Sequence, residues 1–139
     1  MRSHLTCLLF VLLQVSSLQA QATRSVVQVF NPAGIERIIL DLSGDVEILS
    51  APGQLVQVET EVVITNGGDP ILKALILAKR YSLDNSREGE SLHLFYPRRL
   101  APVSVRGTTL DEQIRYRIYL PEGLEAVMKD RAAATSVPE

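Results

Sequence analysis

Strict alternation between apolar and polar residues is the feature that most constrains the fold of this chain. Over residues 54–65, every second position falls on one side of an extended backbone: Val56, Val58, Thr60, Val62 and Ile64. The positions between them include Gln57, Glu59 and Glu61. A helix would scatter the apolar side chains around its surface, whereas a strand gathers them on one face. The stretch therefore predicts a long strand with one buried and one solvated face.

Two shorter runs of the same period flank a turn that contains glycine. Residues 35–42 and residues 46–49 are separated by Ser43, Gly44 and Asp45. Two period-two runs joined in this way are typical of a β-hairpin. We therefore predict that these two strands pair with each other.

The second half of the chain has a similar organisation. Residues 81–83 are predicted to pair with residues 91–96 through a polar turn over residues 85–90. A further strand is predicted over residues 113–120, and one of its faces is apolar or aromatic: Ile114, Tyr116, Ile118 and Leu120. A turn at Pro121, Glu122 and Gly123 then leads to a short strand over residues 124–128.

One segment has the signature of a helix. Asp69 is a favourable N-cap and Pro70 suits the first helical position, so a short helix is predicted near residues 69–78. Its residues are apolar on most sides, which predicts that it is well buried; a central strand is the alternative. The whole pattern predicts an all-β fold, mainly an antiparallel β-sandwich or the start of a β-solenoid, with this one helix.

Composition narrows the possible classes of protein. The 139 residues are 46% hydrophobic and 22% charged, with a net charge of −2, which excludes a mainly disordered chain and a strongly basic nucleic-acid binder. The length suits one domain. Because the sequence has no Trp and few aromatic residues, its core must consist largely of Val, Leu and Ile.

Residues 1–22 predict a secretory signal peptide. Arg2 precedes a short apolar run, and small residues follow, with cleavage after Ala20 or Ala22. A buried N-terminal helix or a retained short anchor is the alternative. The prediction implies a protein exported to the periplasm, the outer surface or the medium, with a single domain over residues 23–128 and a flexible tail over residues 129–139. Cleavage of this signal would also remove Cys7, the one cysteine, so the remaining chain would have no thiol chemistry.

Two stretches resemble a known family. Residues 38–48, IILDLSGDVEI, resemble the opening of the DUF4097-type putative adhesin domains of exported bacterial proteins, and residues 116–126, YRIYLPEGLEA, resemble a recurring strand of that family. The resemblance covers about residues 30–128 and implies a non-enzymatic interaction or structural module of the cell envelope. In the family, a stack of β repeats follows this strand. The present sequence stops soon afterwards, which implies a reduced version or a truncated fragment of a longer protein.

Three carboxylates surround the first glycine turn: Asp41, Asp45 and Glu47. Calcium needs six to eight oxygen ligands, of which this loop could supply about half. A pair of carboxylates would also suit a small carbohydrate-active hydrolase. The alternative is a local turn hydrogen bond from Asp45, with the other two side chains in solvent. We predict this alternative, with no enzymatic activity, catalytic residue, metal or cofactor; His93, the one histidine after the signal, lacks the partners for a zinc site.

Basic and aromatic residues of the second half define a candidate surface binding patch: Arg98, Arg99, Arg115, Arg117 and Tyr119, with Arg106 and Tyr96 nearby in sequence. An anionic glycan would suit such a patch, whereas no motif for nucleic acid is present. Ordinary surface arginines, whose stems lie over apolar neighbours, are the alternative. Separately, the spacing of Arg115 and Arg117 predicts that they pair across strands with Glu59 and Glu61.

The last two predicted strands are the basis of a prediction about binding partners. Because the sequence stops soon after them, residues 113–128 are predicted to form an uncovered sheet edge that pairs with a copy of itself or with another protein. No transmembrane segment is predicted once the signal is removed.

Overall fold

The structure is a computed structural model that describes residues 21–98 and 100–129. Within these residues the chain forms ten strands and one helix, in the order β1 (Ala22–Phe30), β2 (Arg37–Asp41), β3 (Asp45–Ser50), β4 (Val56–Ile64), α1 (Asp69–Leu77), β5 (Asp84–Glu88), β6 (Ser91–Phe95), β7 (Ser104–Val105), β8 (Thr108–Thr109), β9 (Glu112–Leu120) and β10 (Glu125–Met128). The prediction of an all-β fold with one short helix is confirmed.

The longer strands form two four-stranded sheets. Sheet A has the order β1-β4-β9-β3, and sheet B has the order β10-β2-β6-β5, while β7 and β8 form a separate ribbon. Three of the six pairings within these two sheets are antiparallel, and three are parallel: β3 with β9, and β2 with each of its two neighbours. The two sheets therefore form a mixed β-sandwich.

The main hydrophobic core lies between the two sheets. Sheet A contributes alternate residues of β4 and β9, among them Val56, Val58 and Ile118, and sheet B contributes Ile38 and Leu92 from its central strands. All five side chains are at most 1% exposed. The alternation along β4 and β9 is thus explained, because one face of each strand is held against the other sheet.

A second core lies under the other half of sheet A. Here Val62 and Ile64 of β4 pack with Leu72 of α1, Tyr81 and Leu110. The long strands of sheet A extend past sheet B, and the helix and its neighbouring loops cover the remaining apolar surface. Each end of sheet A therefore has its own packing partner.

The helix lies where the sequence predicts it but is capped and buried differently. Its N-cap is Gly68, and the carboxylate of Asp69 instead accepts two hydrogen bonds from Arg24 of β1, at 2.7 and 2.8 Å. Leu72 is its one fully buried residue among those described, and Leu77 is 73% exposed. The prediction of a well-buried helix is therefore wrong, because only one side of α1 contacts sheet A.

The predicted hairpin between β2 and β3 does not form. These strands follow each other in sequence but belong to different sheets, so the segment at Ser43 and Gly44 carries the chain from sheet B to sheet A. Gly44 has a φ of 125° on this path. Alternation identifies the buried face of a strand, but it does not identify the strand's neighbour.

The second predicted hairpin forms with different bounds. β5 begins at Asp84 and pairs antiparallel with β6, so the predicted polar turn over residues 85–90 is for the most part a strand. Its side chains are polar because β5 is an edge strand with little buried surface. Tyr81 and Leu83, which were predicted to belong to this strand, precede it and are buried in the two cores.

The predicted edge over residues 113–128 is wrong for β9. This strand lies inside sheet A, between β4 and β3. β10 is an edge strand, but it has only four residues and pairs in parallel with β2. The prediction that the last strands form one open edge is therefore replaced by a different set of edges.

The predicted signal peptide and tail lie for the most part outside the described residues. Of residues 1–22, only Gln21 and Ala22 are described, and Ala22 is 4% exposed at the start of β1. Of residues 129–139, only Lys129 is described, and its backbone N–H donates to the carbonyl oxygen of Leu40. Within residues 21–98 and 100–129, no helix has the length and apolar character needed to cross a membrane.

Replacing Gly44 tests the crossing between the two sheets. A Cβ at this position would lie 2.5 Å from the carbonyl oxygen of Ile114, in addition to the strain of a positive φ. We expect Gly44→Ala to lower the free energy of unfolding by at least about 1–3 kcal/mol. Urea denaturation measures this change.

Gly53→Ala is the matched control. Gly53 has a similar φ of 115°, but a Cβ there would meet nothing within 4 Å. The control should therefore show the backbone cost alone and a smaller loss of stability. Equal losses in the two variants would contradict the close approach of Gly44 to β9.

Candidate interaction surface

The outer face of sheet A carries two rows of alternating charge. In the first row, Arg117 of β9 lies between Glu59 of β4 and Glu47 of β3. In the second row, Arg115 occupies the corresponding place, with carboxylates on both sides from Glu61 and Asp45. The predicted cross-strand pairing of the two glutamates of β4 with the two arginines of β9 is confirmed by this register.

The arginines and carboxylates of this face lie at moderate distances from one another and are partly exposed to solvent. The guanidinium of Arg117 lies 3.6 Å from a carboxylate oxygen of Glu59 and 3.6 Å from one of Glu47. Arg115 lies 4.0 Å from Asp45. The rows line a shallow hollow of about 200 Å³. Ion pairs with this much solvent contribute little to stability, typically about 0–1 kcal/mol each.

These acids change the character of the predicted basic patch. Arg115, Arg117 and Tyr119 do share the outer face of β9, but the two arginines are surrounded by four carboxylates. Arg98 is exposed in the segment after β6, and Arg99 lies outside the described residues. The face around Arg115 and Arg117 is thus net acidic, which disfavours an anionic glycan as its ligand.

The three carboxylates near the first glycine turn have different cationic partners. Asp41 belongs to sheet B and accepts a hydrogen bond from Lys129 at 3.2 Å, whereas Asp45 and Glu47 face the arginines of β9. Among the described residues, no group of three or more His, Cys, Asp or Glu side chains could hold a metal ion. The structure therefore does not place these three carboxylates together in one binding site.

His93 lies on the face of β6 opposite the core, as its alternation with Leu92 and Leu94 predicts. Its Nε2 is 3.4 Å from a carboxylate oxygen of Glu88 on the neighbouring strand β5. The pair lies on one edge hairpin of sheet B.

The four edge strands of the two sheets differ greatly in charge. β3 has two charged residues in six, β5 has three in five, and β10 has one in four. β1 has one charged residue, Arg24, in nine, and it contains neither Pro nor Gly. Charges, prolines and short length are the devices by which edge strands avoid pairing with other chains. β1 largely lacks them, a property that the sequence analysis missed because it predicted no strand there.

Exposed apolar side chains lie on the outer side of β1. Val27 and Val29 are each 54% exposed, and the register places them beside Glu59 and Gln57 of β4. Farther along the row of Val29, on β9 and β3, lie the partly buried side chains of Tyr119 and Leu49. One end of the outer face of sheet A is therefore apolar, and this apolar region reaches the open edge.

Two side-chain contacts hold β1 firmly in place. The side-chain amide of Gln28 donates to the carbonyl of Leu83 at 3.1 Å, and its oxygen accepts from the N–H of Leu83 at 2.8 Å. Arg24 binds Asp69 at the start of α1. The bond between these two charged groups lowers the pKa of Asp69. β1 is thus an ordered edge, anchored at one point to the helix and at another to the residue before β5.

A partly buried polar cluster lies near the junction of the two cores. Arg80 and Glu112 form an ion pair of 3.0 Å with side-chain exposures of 15% and 12%, and Arg80 also donates to the carbonyl of Ala101 at 2.7 Å. The hydroxyls of Tyr96 and Tyr116 are 2.8 Å apart. The contacts of Arg80 join the turn after α1 to the segment before β7 and to the start of β9.

Burial raises the pKa of the two tyrosines of this cluster and of Tyr81, which follows Arg80 in the chain. It is the largest cause of the raised pKa of Tyr96 and of Tyr116, and it raises the pKa of Tyr81 to about 12, with a further contribution from the charge of Glu112. The hydroxyl of Tyr81 is buried and has no hydrogen-bond partner among the described residues. A neutral hydroxyl is tolerated there, whereas a phenolate would be unfavourable.

Tyr81→Phe tests the burial of this hydroxyl. The pKa of Tyr81 is raised in the fold, so its ionisation does not oppose folding below the ordinary tyrosine pKa of about 10. As the pH rises toward 12, ionisation of this tyrosine lowers the free energy of unfolding. The Phe variant should therefore lose less thermal stability than the parent between these pH values. Thermal melts followed by circular dichroism across this range measure the difference.

Tyr116→Phe is the matched comparison at neutral pH. It leaves the hydroxyl of Tyr96 without its partner, which should cost about 1–3 kcal/mol. Tyr81→Phe removes a hydroxyl without a partner and should be neutral or stabilising. The reverse order of stability would contradict the assignment of these two environments.

Arg117→Glu tests the charge rows. The change places a carboxylate between Glu59 and Glu47, so we expect a loss of about 1 kcal/mol in the free energy of unfolding at low salt. High salt should restore most of this loss, because screening weakens repulsion between exposed charges. Arg98→Glu, at an exposed position after β6, is the control; an equal, salt-sensitive loss there would contradict a specific role of the rows.

Comparison with known proteins gives one distant likeness. No family model and no curated protein matches the chain. A solved structure described as a putative cell adhesion protein from Clostridium sporogenes is similar, with 12% sequence identity and a TM-score of 0.40. The likeness covers 77% of this chain and 46% of that chain, so this chain spans about half of that protein's length. Membership of the DUF4097-type family stays a prediction.

Proposed function

We propose that this protein is a non-enzymatic, exported interaction domain of the bacterial cell envelope that accepts a strand of a protein partner at the edge of β1. The observation that carries the proposal is the character of β1 itself. It is a nine-residue edge strand with one charged residue and two half-exposed valines. An edge of this kind offers unpaired backbone N–H and C=O groups that another strand can complete.

The contacts of β1 and β9 favour the addition of a strand at β1 over the binding of a ligand to the arginines of β9. The arginines of β9 already have carboxylate partners within 4.0 Å, so a ligand there would have to compete with them. The outer backbone groups of β1 have no strand beside them among the described residues. The bonds of Gln28 and Arg24 hold the edge in its extended form, so a partner does not bear the whole cost of ordering it.

Two further features support the rest of the proposal. The chemistry of residues 1–22 is that of a secretory signal, and the resemblance of residues 38–48 to exported adhesin-like domains suggests the same destination. The acids that would serve a hydrolase, Asp41, Asp45 and Glu47, pair with separate basic residues. This arrangement favours a binding role over catalysis.

Site-specific photo-crosslinking tests the proposal in cells that express the full chain. A photoreactive residue replaces Val27 on β1 in one variant and Leu77 on α1 in the control; these positions are 54% and 73% exposed. We expect a discrete protein adduct from position 27 and none from position 77. The adduct should disappear when Val29→Lys is added, because a charge at the edge opposes pairing.

Three results would contradict the proposal. The first is the absence of an adduct at position 27, and the second is equal adducts at both positions. The third is an adduct that persists with Val29→Lys. Fractionation of the same cells tests export, because the proposal predicts that the chain leaves the cytoplasm.

A further inference from the structure

We infer that the strand accepted by β1 is β1 of a second copy of this chain, paired antiparallel about a two-fold axis at Val27. The inference rests on the proposed function and names its partner. It joins the two copies of sheet A into one continuous eight-stranded sheet. The contact is isologous, because the same edge of each copy provides both sides of it.

The two faces of β1 restrict the possible registers. Thr23, Ser25, Val27 and Val29 lie on the outer face, and Ala22, Arg24, Val26, Gln28 and Phe30 lie on the inner face. A two-fold axis perpendicular to the sheet must keep outer residues opposite outer residues. With the axis at Val27, this residue lies opposite its own copy, and Ser25 lies opposite Val29 of the second copy.

The charge of β1 favours this antiparallel arrangement. Arg24 is the one charged residue of the strand and lies three positions from Val27, so it falls opposite Phe30 of the second copy. A parallel pairing in register would instead place Arg24 beside Arg24. Like charges directly opposite each other destabilise strand pairs. In the antiparallel register Arg24 also keeps its ion pair with Asp69 of the same copy.

The other edges fit a second copy less well. β3 carries Asp45 and Glu47, and β5 carries Asp84, Arg87 and Glu88, so these strands have charges to desolvate on pairing. β10 offers only four residues. The edge of β1 is the longest of the four and has the smallest share of charged residues.

Apolar surface is also matched across the proposed contact. Val27 and Val29 are each 54% exposed in the isolated chain. In the paired sheet, the two copies of Val27 are adjacent and the two copies of Val29 flank them diagonally. Four half-exposed valines therefore gather at the centre of one face, where each covers part of its neighbours.

Engineered cysteines test this register directly. The one native cysteine is Cys7, so residues 21–139, which contain every described strand and helix, have no thiol. Val27→Cys should form a disulfide-linked dimer under mild oxidation, because directly opposed Cα atoms are about 4.5–5.5 Å apart, within disulfide reach. A mixture of Ser25→Cys and Val29→Cys chains should form the mixed dimer.

Ser25→Cys alone is the matched control. The two copies of residue 25 would be four positions apart along the strands, roughly 13 Å, which is too far for a disulfide. We therefore expect little dimer from this variant. Light scattering of the cysteine-free chain should show a dimer that Val27→Lys converts to a monomer, and this monomer should still melt cooperatively.

The possible results separate the inference from the proposed function. A monomer with no disulfide at position 27, together with a cellular adduct to a different protein, would overturn the second copy as occupant and leave strand addition standing. The absence of both the disulfide and the adduct would overturn both claims. Equally efficient disulfides from Ser25→Cys alone and from Val27→Cys would also overturn the proposed register.

Discussion

The apolar face of β4 is the constraint on which the rest of this structure depends. Five consecutive inner positions of the strand are at most 1% exposed, from Val56 to Ile64. Sheet B is too short to cover all of them, so the helix and its adjoining loops cover the second half. This division explains the two cores and the place of α1; the partly buried ion pair of Arg80 with Glu112 lies near the junction of the cores.

The strand order of sheet A decides which strands remain at its edges. β4 and β9 occupy the middle of sheet A, where both sides of each backbone are paired, and β1 and β3 are left outside. β3 is protected by two carboxylates, whereas β1 is nearly uncharged and has exposed valines on its outer side. This contrast between the two edges of sheet A is the basis of the proposal that β1 pairs with another strand.

The sequence predicts which face of a strand is buried more reliably than it predicts which strands are neighbours in a sheet. Alternation correctly identified the inner faces of β4 and β9 and the pairing of Glu59 with Arg117, because both depend on period two. The connection at Gly44 depends on a close approach to Ile114, which no local pattern encodes. β1 was missed because Val26 and Val27 are adjacent and mask its alternation. The acids of β3 beside Arg115 and Arg117 could not be foreseen either, because they are placed there by strand order.

Amide hydrogen exchange of β1 as a function of protein concentration tests the central claim most directly. In an antiparallel pair, the bonds to β4 use only alternate amides of β1, and the others point outward. The account predicts that these outward amides exchange quickly in dilute protein and become protected as the concentration rises, while the edge amides of β3 do not change. Outward amides of β1 that exchange equally quickly at every concentration would contradict it.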